Sequence, residues 1–123
     1  MPTPPLRRAL LALPLLGGAA GAHAIIRSSN PAPGGEVAAG ELAIRLVFNS
    51  RLDHARSRLS VAPVRLGGGG TADEVAVAIT PDSPAAELLG RSAALAPGPW
   101  RIRWQVLALD GHITRGDIAF TVA

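Results

Sequence analysis

Residues 100–106, WRIRWQV, admit one backbone conformation. Trp100, Ile102, Trp104 and Val106 occupy one phase of a two-residue period, and Arg101, Arg103 and Gln105 the other. A helix would scatter those apolar side chains around its circumference, whereas a strand sends successive side chains to opposite faces. The segment is a half-buried strand, and Leu107, Ala108 and Leu109 carry it into Asp110-Gly111-His112.

The same period recurs along the chain. In 41–48, Leu42, Ile44, Leu46 and Phe48 share a face; in 58–64, Leu59 and Val61 do, with Pro63 beside them. Val75, Val77 and Ile79 alternate with alanines in 74–80, and Ile118, Phe120 and Val122 alternate at the end of the chain. Residues 24–29 read as a short opening strand, followed by a proline- and glycine-rich turn at 30–35 suited to a sheet edge. Residues 49–58 are polar and fit a loop or a single helical turn. Residues 85–96 fit a short helix interrupted at Gly90 or a short strand, and 113–116 reads as a turn. About seven short strands separated by Gly/Pro turns, with no long helical period, predict an all-β fold: an antiparallel β-sandwich of immunoglobulin-like size. Trp100, Trp104, Phe48 and Phe120 fall on inward phases and belong to its core.

Residues 1–22 have the layout of a secretory signal. Arg7 and Arg8 form a positive start, 9–20 is apolar, and Ala20-Gly21-Ala22 offers small residues for cleavage. The apolar run is shorter than the about 20 residues a membrane-spanning helix needs. Cleavage after Ala22 would leave a single domain, residues 23–123, exported to the periplasm and beginning at His23. With both leader arginines removed, ten arginines face nine acids, so the high isoelectric point reflects the absence of lysine more than a basic surface. Few aromatics and no arginine run argue against nucleic-acid binding. The absence of cysteine excludes disulfides, thiolate ligands and a catalytic thiol. Four glycines at 67–70 do not form a phosphate cradle, because no Gly-Lys-Ser/Thr and no helix follows them; they read as a loop.

A chain starting at His23 would carry two nitrogens on one residue, the α-amine and the imidazole, able to chelate one metal. Asp110 and His112, two apart and on one face if the strand stays extended, add an oxygen and a third nitrogen. Three nitrogens and one oxygen form a tetragonal set suited to Cu(II), with zinc as the second choice. Asp-Gly is also an ordinary turn dipeptide, so the triplet fits a plain hairpin equally well. The remaining histidine, His54, reads as a solvated loop residue or an outer partner of the metal.

Taken together, His23-Ala24, Ser28-Ser29-Asn30-Pro31-Ala32 with Gly34, Leu46-Val47-Phe48, and the run from Pro97-Gly98-Pro99-Trp100 through Val106 to Asp110-Gly111-His112 and Gly116 resemble the CopC family of periplasmic copper-binding proteins. The resemblance covers essentially all of residues 23–123. It implies a Greek-key β-sandwich and a Cu(II) site built from the mature amino terminus, His23, Asp110 and His112. It also implies a role in copper resistance or in delivery to an inner-membrane transporter of the CopD type; the protein is expected to be a monomer. Two departures stand out. Some members carry a methionine-rich Cu(I) loop, whereas the only methionine here is Met1, so a thioether site is excluded. Some carry an acid just after the position of Phe48, where this chain reads Asn49-Ser50-Arg51.

Two other functions compete. One is a copper monooxygenase of the type that uses an N-terminal histidine; Asp110 in the coordination set and the lack of an outward aromatic platform speak against it. The other is an immunoglobulin-like interaction module without metal, since sandwich folds host many functions.

Overall fold

The alternation at 100–106 lies in the middle of the longest strand pair of the computed structural model, which describes residues 24–65 and 73–123. The leader, His23 and the four-glycine loop lie outside the described residues. Strands β1 (Ile26–Asn30), β2 (Gly35–Val37), β3 (Ala43–Phe48), β4 (Arg58–Pro63), β5 (Val75–Ala76), β6 (Glu87–Arg91), β7 (Gly98–Leu107) and β8 (Ile113–Val122) are joined by loops and one 3-10 turn, His54–Arg56. They form two sheets, β1-β3-β6 and β2-β8-β7-β4-β5. The architecture is the all-β, immunoglobulin-like sandwich expected. Its pairs are antiparallel except β2, which lies parallel to the end of β8.

The β7–β8 ladder is unbroken from Gly98↔Val122 to Leu107↔Ile113. Its inward residues, Ile102, Trp104 and Val106 on one strand and Ile118, Phe120 and Val122 on the other, are buried. They meet Leu42, Ile44, Leu46 and Phe48 from the other sheet in one continuous core. Phe48 and Trp104 join the layers edge to face, with ring centroids 5.1 Å apart and planes at 75°, a geometry that matches a positive ring edge to a negative face. Trp100 is only half-buried: it packs against the core and its indole N–H donates to the carbonyl of Ala96 at 2.8 Å.

Five segments refine or depart from the sequence expectation, each for a physical reason. Residues 113–116 are not a turn but the start of β8. Gly116 is there for space: a Cβ would lie 2.6 Å from Cζ2 of Trp104. Residues 85–96 resolve as strand β6, and Gly90 lets it approach closely, since a Cβ would meet the Val77 side chain at 2.9 Å and the Ala78 carbonyl at 3.0 Å. The strand expected at 74–80 pairs with β4 only at Val75–Ala76, then crosses toward the other sheet. There Ile79 bridges Gly90, and the Thr80 amide donates to the Leu89 carbonyl. This crossing closes one side of the sandwich and leaves Val75 exposed. The Gly/Pro turn at 30–35 leads into β2, anchored where Gly34 N donates to Ala119 O at 2.7 Å. The opening strand begins at Ile26, two residues later than expected. The result is eight strands among the described residues in place of about seven.

Replacing Gly116 with alanine forces its methyl into the Trp104 ring. It is expected to destabilise the fold by about 1–3 kcal/mol, read as a lower urea midpoint with an altered tryptophan emission in the native baseline.

Candidate metal centre

Two paired antiparallel strands cannot turn back without a loop, and the chemistry of this loop is carried by its own sequence. Ala108 N donates to His112 O at 2.9 Å and Gly111 N to Ala108 O at 2.9 Å, enclosing Leu109, Asp110 and Gly111. Gly111 takes φ +95°, which a side chain disfavours. A three-residue loop with a type I turn and a left-handed glycine is a favoured β-hairpin connection. Asp110 locks it: its Oδ1 accepts the backbone N–H of His112 at 3.0 Å and lies 3.2 Å from Nδ1 of the same histidine. Asp110 and His112 therefore do converge, through a tight turn and not through the extended strand that the two-residue spacing suggested. Their side chains are 44% and 51% exposed, so the pair is open to solvent.

The hairpin is held from outside by residues 49–57. Leu109 N donates to Arg51 O at 3.1 Å, Asp53 N donates to Leu107 O at 2.8 Å, and Leu52 bridges Ala108. The buried Ser57 hydroxyl donates to Asp53 O at 2.8 Å and accepts from Leu107 N at 3.2 Å. His54, left open between a solvated residue and an outer metal partner, spends Nε2 on two carbonyls, Pro84 at 3.1 Å and Glu87 at 2.8 Å. Nε2–H is the donor in this tautomer, and the ring ties the loop to β6.

The start of the described chain reaches the same end of the sandwich. Ala24 is 1% exposed and belongs to the core. Its carbonyl accepts the Thr114 hydroxyl at 2.9 Å, two residues beyond His112. Ile25 is clamped by Asn49, whose Oδ1 accepts the Ile25 N–H at 2.7 Å and whose own N–H donates to Ile25 O at 3.0 Å. Asn49, noted from sequence only as a departure from an acidic position, thus holds the entering segment. The local sequence around Thr114 reads as a turn, and nothing within that segment shows that it contacts a residue 90 positions earlier. Among the described residues, no group of three or more His, Cys, Asp or Glu comes together to hold a metal, so Asp110 and His112 supply two donors.

A two-sheet sandwich whose last hairpin presents an Asp-Gly-His loop beside the entry of the chain defines a small β-domain with a candidate metal centre at one end. The CopC domain family matches residues 26–123, and the chain belongs to that family. Among solved structures it is similar to CopC from Methylosinus trichosporium OB3b, at 27% identity over 81% of this chain and 93% of that one, with a TM-score of 0.67. It is also similar to PcoC, a methionine-rich copper resistance protein from Escherichia coli, at 26% identity over 82% and 99%, with a TM-score of 0.64. The selenomethionine form of PcoC matches at 25% identity over 80% and 99%, with a TM-score of 0.63. Comparison with curated proteins gives no match.

Thr114→Val leaves the buried Ala24 carbonyl without its donor, and Asn49→Ala removes the acceptor of the Ile25 amide. Each is expected to cost about 1 kcal/mol, with amide exchange accelerating at Ile25 and Ile26 before the rest of the fold, as read by hydrogen-exchange NMR.

Proposed function

We propose that the protein is an exported, non-catalytic Cu(II) carrier. Residues 1–22 are removed as a signal peptide, residues 23–123 form the periplasmic domain, and one copper ion binds to the α-amine and imidazole of His23 with Asp110 and His112. The carrier sequesters copper or passes it to a membrane transporter of the CopD type. It acts as a monomer.

The observation that carries this reading is the burial of Ala24 against Thr114, beside the Asp110–His112 hairpin. Ala24 is thereby bonded to the strand that leaves the hairpin of Asp110 and His112, the only Asp–His pair within salt-bridge distance among the described residues, and this supports a contribution from residue 23. Two nitrogens on residue 23 would then complete a three-nitrogen, one-oxygen set of the kind Cu(II) favours over metals that prefer sulfur or a tetrahedron. Membership of the CopC family and likeness to a copper resistance protein support the same metal. PcoC is described as methionine-rich, whereas the single methionine here is Met1, so sulfur chemistry for Cu(I) has no basis in residues 23–123. The exposure of both hairpin side chains suits exchange with a partner over permanent storage.

Protein exported to a periplasm should have an intact mass beginning at His23 and bind one Cu(II) with a tetragonal, nitrogen-rich EPR spectrum. His112→Ala, which removes a ligand, should weaken binding by more than the roughly 10–100-fold typical of losing an outer partner. One extra residue before His23 should do the same. A mass starting elsewhere, or equal affinity in the wild type and His112→Ala, overturns the proposal.

Acid should weaken the site. A free α-amine has an ordinary pKa of about 8 and must lose its proton to ligate. Affinity should therefore rise from about pH 5.5 to about pH 8, with proton release on binding measured by calorimetry in buffers of different ionisation enthalpy.

A further inference from the structure

Arginines dispersed in the sequence gather on the outer face of the five-stranded sheet. Arg58, Gln105 and Arg115 are cross-strand partners in one row over β4, β7 and β8, and Ser60, Arg103 and Asp117 form the next row. Adjacent strands lie about 4.8 Å apart, so Arg58 and Arg115 flank Gln105 across about 10 Å. These residues line a shallow concavity of about 460 Å³.

The charges in that concavity are not equivalent. Arg103 is committed: Nε lies 3.2 Å from Asp117 Oδ1 and Nη1 lies 3.3 Å from Glu74 Oε1. The Ser60 hydroxyl also donates to Glu74, and this bond, with Arg103 behind it, holds the Glu74 carboxyl below its ordinary pKa. Both carboxylates are thus matched by the Arg103 guanidinium. Arg58 and Arg115 form no ion pair among the described residues. Toward the hairpin the same face turns apolar. Ile113 pairs with Leu107, two residues from Arg115, and is 54% exposed; Leu109, in the loop, is 61% exposed. In the chain, Leu109 precedes the Asp110-Gly111-His112 triplet and Ile113 follows it.

We propose that this face docks an acidic segment of a partner protein, with its carboxylates on Arg58 and Arg115 and an aliphatic side chain over Leu109 and Ile113. Guanidinium groups take carboxylates in pairs of parallel hydrogen bonds. Carboxylates on alternate residues of an extended segment lie about 7 Å apart, within reach of two long arginine arms. Glu74 and Asp117 at the far end of the concavity disfavour a dense polyphosphate or an anionic membrane. The exposed apolar residues are two aliphatics without the aromatic anchors of a membrane interface, and a free anion would need no apolar rim. Exposed ion pairs are individually weak and screened by salt, so the contact is transient and sets orientation and encounter rate more than affinity. The docking surface stands without the copper proposal. Only its consequence rests on that reading: a partner seated here is held at the end of the sheet that carries the Asp110-Gly111-His112 hairpin.

The test uses the ¹⁵N-labelled exported protein and, as probe, a capped heptapeptide alternating glutamate with leucine or alanine. The amides of Gln105, Arg115, Ile113 and Arg58 should shift, and affinity should fall about tenfold between low and physiological salt. The glutamine counterpart of the peptide should not bind. The double variant Arg58→Ser/Arg115→Ser should lose about tenfold or more in peptide affinity while keeping its circular dichroism and Cu(II) affinity. No shift on this face, equal binding of the glutamine peptide, an unaffected double variant, or stronger perturbation by inorganic phosphate or phosphatidylglycerol vesicles overturns the inference, as does self-association through this face in sedimentation. Peptide binding without copper binding sinks the copper proposal alone, and copper binding without peptide binding sinks this one alone.

Discussion

The edge-to-face contact between Phe48 and Trp104 is the contact on which the two layers depend. Trp104 sits within the ten-residue β7–β8 ladder, and its ring fits only because Gly116, directly opposite, has no side chain. Phe48 ends β3, so the same contact fixes where the smaller sheet stops and where Asn49 begins. Asn49 then clamps Ile25, and the start of the described chain is drawn to the end of the sandwich where β7 turns into β8. The candidate metal centre is therefore a by-product of core packing: the aromatic pair sets the position of the entering segment, and the ladder sets the position of the hairpin.

The hairpin serves two ends at once. As a turn it needs a residue that accepts the next amides and one that tolerates positive φ, and Asp110 and Gly111 supply them. As a donor pair it needs a carboxylate and an imidazole within about 3 Å, and the same turn supplies that. The plain reading of Asp-Gly as a turn and the chemical reading of Asp-Gly-His as ligands are thus compatible. The contacts from residues 49–57 restrain the loop, while the exposure of both side chains leaves it open to exchange.

The alternating phases were legible because a sandwich strand shows its core to one side. Leu42, Ile44, Leu46, Phe48, Ile102, Trp104, Val106, Ile118, Phe120 and Val122 all lie on the faces their period assigns. The segments that misled or stayed open were those whose glycines do not mark turns. Gly90 and Gly116 sit inside strands because a neighbour approaches too closely for a Cβ, and no local pattern distinguishes that from a break. The crossing at 77–80 and the parallel strand β2 were equally hidden, since each depends on a partner distant in the chain.

By itself the sequence determined the fold class, the inward and outward faces of its main strands, the chemistry of the Asp110-Gly111-His112 loop and the absence of thiols, because those follow from side-chain period and residue type. Tertiary structure alone decided that Ala24 meets Thr114, that Asn49 holds Ile25, and that Arg58, Gln105 and Arg115 form one row. Those contacts join residues up to 90 positions apart. They are set by strand register and by the fit of one aromatic ring into one glycine notch, which no local period encodes.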